Sequence, residues 1–222
     1  MKPYYEEPGI TIYHGDCRDI LPQLEPVDLV LTDPPYGVAF LSARPKERLE
    51  RNTPIVGDDS DDLLWFFKAV APLGKWLVAF TRWDKWPLHS AQAAEAGWSV
   101  KNMLVWDKDN WTCGDLNGNL GYQHELAILA SIGDPHLSGS RCGNVFRCPR
   151  VASEVHPAEK PIMLLQGIAS RFGSGVILDP FVGVGSTLLA AKNLGRSAIG
   201  IEIEERYCEI AVKRLAQGVL AL

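Results

Sequence analysis

Leu178-Asp179-Pro180-Phe181-Val182-Gly183-Val184-Gly185-Ser186-Thr187 places an apolar run, a glycine turn and a helical pattern in immediate succession. The run over 176–179 reads as a buried strand, and residues 186–194 read as a helix. Gly183 and Gly185 let the backbone approach a ligand closely, and Ser186 is placed to cap the helix. A further strand over 197–202 ends at Glu202, where a carboxylate can accept from two ribose hydroxyls. A plain packing turn and a nicotinamide-dinucleotide site are the other readings of these residues. The dinucleotide fingerprint wants a third glycine where Leu188 stands.

Outward from this turn, β-rich runs alternate with helical patterns, which predicts an α/β fold with a mostly parallel sheet covered on both faces. Strands are expected at 11–14, 27–32, 76–80, 99–106 and 125–131, and helices at 17–24, 61–71, 85–96, 160–171 and 204–217. Residues 133–157 are rich in Gly, Pro, Ser and Arg and show no period. Segment 37–59 is too charged to pack as a core element. The 222 residues, 46% of them hydrophobic and 22% charged, suit one soluble domain able to bury about 70% of its unfolded surface. No apolar stretch is long enough to span a membrane. Five cysteines without a regular framework, and a polar N-terminus, fit reduced thiols and a cytoplasmic protein. Cys113, His136, Cys142 and Cys148 lack a C-x₂-C pair, so no metal is expected.

The strand Val27-Asp28-Leu29-Val30-Leu31-Thr32 runs directly into Asp33-Pro34-Pro35-Tyr36. The prolines fix φ and lack N–H groups, so they stiffen the turn and leave carbonyls free to accept. An aromatic amine is a poor nucleophile because its lone pair is delocalised into the ring. Hydrogen bonds from both amine protons, to the Asp33 carboxylate and the Pro34 carbonyl, would relocalise that lone pair. Tyr36 could stack on a base swung out of a duplex. The bland alternative is a Pro-Pro turn with Tyr36 as packing. Gly15-Asp16-Cys17 follows the first strand: Asp16 can accept from an adenine amine and Cys17 can lie against the ring, or Asp16 is simply a helix cap. His156-Pro157-Ala158-Glu159-Lys160-Pro161 precedes the helix at 160–171, and Lys160 could hold the carboxylate of an amino-acid cofactor. With a net charge of −5, a nucleic-acid binder must concentrate its cations locally. Two stretches do so: Arg44, Lys46, Arg48 and Arg51 in one, Arg141, Arg147 and Arg150 in the other. Asp58, Asp59, Asp61 and Asp62 are expected to face solvent.

Taken together, the D-P-P-Y tetrad, H-P-x-x-K-P at 156–161 and F-x-G-x-G at 181–185, in that order, resemble the DNA amino-methyltransferases of the beta permutation class. The match spans roughly residues 10 to 217. Related enzymes acting on RNA amines or protein glutamine carry the glycine motif first, so the order favours DNA. The resemblance implies a Rossmann-like S-adenosylmethionine-dependent methyltransferase fold, a seven-stranded mixed sheet with one antiparallel edge strand and helices on both faces. It implies that Asp179, Phe181, Gly183, Gly185, Ser186, Thr187 and Glu202 form the S-adenosylmethionine site, with Asp16, Cys17 and Asp33 beside it and Lys160 on the cofactor carboxylate. Asp33, Pro34, Pro35 and Tyr36 then form the amine pocket. Aspartate before Pro-Pro-Tyr is associated in the family with adenine N6, serine with cytosine N4. The arginines would meet double-stranded DNA, mostly at phosphates. Target recognition falls to 37–58 and 132–156; the second stretch is short for the family, so the site is short, or 37–58 shares the reading, or a homodimer does. Trp106-Asp107-Lys108 and Gln123-His124-Glu125 resemble weaker family motifs, and no chemistry is assigned to them. An inactive DNA-binding subunit of the same fold and a nicotinamide oxidoreductase are the competing functions.

Overall fold

The computed structural model describes residues 1–35, 61–111, 118, 120–151 and 159–217. Tyr36, the cationic group Arg44, Lys46, Arg48 and Arg51, the carboxylates Asp58 and Asp59, and His156 lie outside the described residues. Nine strands among the described residues form one mixed sheet. They are β1 (Tyr5–Glu7), β2 (Ile10–His14), β3 (Val27–Thr32), β4 (Gly74–Thr81), β5 (Ser99–Asp107), β6 (His124–Ser131), β7 (Val145–Arg147), β8 (Ile177–Asp179) and β9 (Ala198–Glu202). The order across the sheet is β1-β2-β9-β8-β3-β4-β6-β5-β7.

The helices are α1 (Cys17–Ile20), α2 (Leu64–Val70), α3 (Trp86–Glu95), α4 (Ile162–Ala169), α5 (Ser186–Asn193) and α6 (Glu205–Ala216). Strand periodicity sends alternate residues of β3 to opposite faces. Leu29 and Leu31 meet α4, α5 and α6 through Leu165, Leu188 and Ala211. Val30 joins Ile20, Phe66, Phe67 and Ala93 from α1, α2 and α3. Both faces are therefore covered, which is why β3 and β8 are mostly apolar rather than alternating, with Leu29-Val30-Leu31 and Ile177-Leu178 as their buried centres.

Two expectations need correction. The sheet has nine strands, not seven, because short strands add at both edges: β1 antiparallel to β2, and β7 parallel to β5. β7 lies inside the stretch read as lacking structure. The second reversed strand, β6, is not at an edge but between β4 and β5, antiparallel to both. Asp62 is exposed and Asp61 partly so, as expected, and both also make contacts. Asp61 pairs with Lys85, and Asp62 accepts from Leu64 N at 2.9 Å and Gln92 Nε2 at 3.0 Å, tying α2 to α3.

The topology positions the site. From β3 the chain crosses through α2 to β4; from β8 it crosses through α5 to β9, on the other side and the other face. β3 and β8 are neighbours, so they flank a switch point, the place beyond the carboxyl ends of the strands where open α/β sheets bind ligands.

Candidate active site

Asp33 and Pro34 leave β3 at this switch point, and the glycine turn leaves β8 beside them. The two ends are stitched together by Asp179, whose Oδ1 accepts from Thr32 Oγ1 at 2.6 Å and from Phe181 N at 3.1 Å. Thr187 also bonds this carboxyl. Asp179 and Thr187 are thus engaged within the turn, and Asp179 is only 3% exposed. Burial pushes the Asp179 carboxyl up to about 6, against these hydrogen bonds, from an ordinary 3.8. Because the folded state then holds the proton more tightly than the unfolded one, this group's stabilisation is complete below about pH 4 and lost as pH rises through about 6. Asp179→Asn does not titrate there. Its stability relative to wild type should rise by roughly 2 kcal/mol between pH 4 and pH 7, read from urea unfolding at both pH values.

The two glycines of the turn do different work. Gly185 has φ +86°, and a Cβ there would lie 2.8 Å from Ala211 Cβ, so it permits α6 to pack on the turn. Gly183 has φ +51°, and a Cβ built there meets nothing within 4 Å. Gly185 also occupies the N-cap of α5, and no side chain caps that helix. Ser186 is therefore not the cap. Its hydroxyl donates to Glu159 Oε1 at 2.9 Å, and Arg214 clamps the same carboxylate at 2.6 Å and the Val184 carbonyl at 2.8 Å.

Glu202 ends β9, opposite His14 of β2. One carboxylate oxygen accepts from Gly183 N and the other from Glu204 N, both at 2.8 Å. The Ile203 backbone also bonds this carboxylate; with about four acceptor positions on a carboxylate, about one remains for a hydroxyl donor. Asp16 does cap α1, accepting from Arg18 N at 2.8 Å, and Cys17 is buried behind it with its thiol pushed up to about 12 by burial and Asp16. Phe181 packs edge-on to Trp65, whose ring carries the Arg18 guanidinium 4.6 Å from its centroid. Neither Trp65 nor Arg18 stood out in the sequence.

Lys160 donates to Asp33 Oδ2 and lies 3.2 Å from Glu125 Oε2. It is 7% exposed and stands between two carboxylates; contacting a cofactor carboxylate would require it to leave both. Lys108 pairs with the other Glu125 oxygen. Burial pushes the Asp33 carboxyl up, opposed mainly by Lys160. Burial also works to raise Glu125, but Lys160 and Lys108 prevail and hold it below the usual carboxylate range. Asp33 Oδ1 is occluded and has no hydrogen-bond partner among the described residues. Such an acceptor is costly to leave unmatched, and it marks where a donor belongs.

Toward the β7 edge, Arg147 does not stand as a spare cation. β7 runs beside β5 with Asp107 opposite Arg147, and Arg147 pairs with Asp109 at 2.9 Å and Asp107 at 3.4 Å. A phosphate contact would have to displace these carboxylates. Arg150 reaches the Tyr122 carbonyl at 3.5 Å, and Arg141 is exposed. Trp83, about half exposed, stacks on Tyr122 at 6.2 Å on the same end of the sheet as Asp33. Among the described residues no three His, Cys, Asp or Glu side chains converge as metal ligands, and no helix is long and apolar enough to cross a membrane. Cys113 lies outside the described residues.

Residues 134–213 match a family profile described as DNA methylase, of the N6 and N4 type. YubD of Escherichia coli (strain K12), named as a methylase, is 34% identical over 212 residues, covering 91% of this chain and 88% of its own. The type II methyltransferase M.ScaI of Streptomyces caespitosus is 29% identical over 269 residues, covering 96% and 84%. Among solved structures, the complex of M1.HpyAVI with S-adenosylmethionine superposes with a TM-score of 0.72 at 28% identity, covering 92% of this chain and 99% of that one. The cytosine-N4-specific PvuII DNA methyltransferase superposes at 0.78 and 17% identity over 99% and 91%, a likeness of fold.

Proposed function

The chain belongs to the N6-adenine and N4-cytosine DNA amino-methyltransferases, and from that premise we propose that it moves a methyl group from S-adenosylmethionine to the N6 amine of an adenine extruded from double-stranded DNA. The observation that carries this reading is Asp33 at the β3–β8 switch point, with Oδ1 occluded and open to a donor, beside the glycine turn.

The residues present fit the cofactor. The open space at Gly183 admits a ligand against the backbone, and Glu202 keeps an acceptor position for a ribose hydroxyl. Asp16, at the end of β2, would take the adenine amine of the cofactor, with Cys17 and Phe181 as apolar walls. When bound, S-adenosylmethionine supplies an electrophilic methyl group on a sulfonium. Everything else falls to the chain. Asp33 Oδ1 and the Pro34 carbonyl accept hydrogen bonds from the two N–H groups of the target amine, draw its nitrogen toward sp³ character, and stabilise the positive charge that grows there as the N–C bond forms and the C–S bond breaks. S-adenosylhomocysteine is the leaving group, and one amine proton is then lost by way of Asp33 to solvent. Because these acceptors sit on a proline-stiffened turn, they need no reorganisation as the reaction proceeds. Tyr36 would stack on the extruded base, since a base left in the duplex cannot present its amine. Stretches 37–58 and 132–156 would read the flanking sequence. The exposed stack of Trp83 on Tyr122 adds a surface suited to bases.

Adenine is preferred over cytosine because aspartate stands before Pro-Pro-Tyr. Incubation with unmethylated mixed-sequence DNA and S-adenosylmethionine, followed by single-molecule sequencing of modified bases, tests this directly. N6-methyladenine in one recurrent context is expected; N4-methylcytosine would transfer the mechanism to the other base, and binding without modification would favour an inactive subunit.

A further inference from the structure

Trp106-Asp107-Lys108 and Gln123-His124-Glu125, two stretches with no role in the cofactor or amine sites, meet near Asp33. They are partners in the β5–β6 register, Trp106 opposite Glu125 and Asp107 opposite His124. Gln123 Nε2 donates to Asp107 Oδ1 at 2.9 Å, and Lys108 N donates to the Gln123 carbonyl at 2.9 Å. The register fixes Glu125 between two ammonium groups: Lys108 on Oε1 and Lys160 on Oε2. Lys160 in turn holds Asp33 Oδ2. The result is a row of two buried lysines and two half-buried carboxylates, Asp33–Lys160–Glu125–Lys108, in which formal charge alternates and sums to zero. Each ammonium rests over an aromatic ring, Lys160 over Phe80 and Lys108 over Trp106, both 5.0 Å from the centroid.

We propose that Glu125 is a positioning residue for the catalytic carboxylate, acting through Lys160, with Lys108 anchoring Glu125. This rests on the assignment of Asp33 given above. A buried ammonium facing a single carboxylate would close on it and consume its acceptor capacity. Shared between two carboxylates, Lys160 is tied at two points. It restrains Asp33 by Oδ2 alone, so Oδ1 is presented to the amine. The charged groups facing Asp33 from the packed elements are Lys160, Glu125 from β6, Lys108 after β5 and Asp179 from β8.

The test uses full-length protein labelled with carboxyl-¹³C aspartate, the Asp33 resonance being assigned with Asp33→Asn. Lys160→Gln should move the Asp33 titration up by about one pH unit or more, because an adjacent cation is lost. Glu125→Gln should move it down, because an adjacent anion is lost. Both variants should lower kcat of DNA methylation by about tenfold or more while the S-adenosylmethionine Kd stays within about threefold, a split that a general loss of structure would not produce. Unchanged Asp33 titration in both variants, or a Glu125→Gln kcat within about twofold of wild type, would overturn the proposal. If either variant fails to fold, Glu125→Asp and Lys160→Arg keep the charge and change its reach; their kcat should fall about tenfold, and wild-type turnover in both would overturn it equally. A wild-type protein that transfers no methyl group to DNA removes the functional reading instead, while the two titrations still judge the coupling.

Discussion

Asp33→Ala should lower the single-turnover rate of methyl transfer by about 10³-fold or more, roughly 4 kcal/mol of transition-state stabilisation. The reason is geometric. Asp33 Oδ1 is an occluded carboxylate oxygen at the switch point with no hydrogen-bond partner among the described residues, and its loss leaves the target amine with the Pro34 carbonyl alone. The cofactor turn should survive, because Thr32 rather than Asp33 binds Asp179 and holds β3 against β8. Lys160 retains Glu125. Rapid-quench transfer and equilibrium binding of S-adenosylmethionine on the same preparation make the comparison: lost rate with a Kd within a few-fold of wild type is expected. A rate within tenfold of wild type would show that Asp33 does not accept from the reacting amine.

The glycine turn yields the second large effect, as a contrast. Gly185→Ala places a Cβ 2.8 Å from Ala211 Cβ and 3.1 Å from Ala211 Cα, with φ at +86°. Strain in the left-handed region costs about 1–2 kcal/mol and overpacking about 1–3 more, so Tm should fall by about 10 °C. Gly183→Ala meets nothing within 4 Å and has φ +51°, so it bears the strain alone and should lose about 3 °C. Its methyl group instead enters the space assigned to the cofactor, so S-adenosylmethionine affinity should fall by at least about tenfold. Thermal melts and calorimetric titration of both variants decide it. Equal melting temperatures, or an unimpaired Gly183→Ala affinity, would contradict the division of labour between the two glycines.

How far the sequence carried the architecture depends on the element. β3 and β8 were legible because strands buried on both faces need consecutive apolar residues at their centres, and their ends are punctuated by Asp-Pro. β1 and β7 were not, because three residues cannot display a period of two and an edge strand is half solvated. The interior place of β6 left a trace that was not used: no helical pattern separates Asp107 from His124, and parallel neighbours would have needed a crossover. At the site, Asp33, Gly183 and Glu202 were readable from local chemistry at strand ends. Glu125 and Lys108 were not, since each is unremarkable in its own stretch and acquires meaning only through the β5–β6 register. Ser186 misled for a related reason: a serine opening a helix is a natural cap until Glu159, twenty-seven residues earlier, claims its hydroxyl.

Carboxylate and proline carbonyl together are held here to grip an exocyclic amine and nothing else on the base. The most direct measurement is transfer of label from S-adenosylmethionine carrying a tritiated methyl group into unmethylated DNA, followed by enzymatic digestion and chromatographic identification of the labelled nucleoside by mass. The account predicts that the label co-elutes with N6-methyldeoxyadenosine. Label confined to a ring-carbon product such as C5-methylcytosine, or absent from DNA that the protein demonstrably binds with cofactor present, would contradict it.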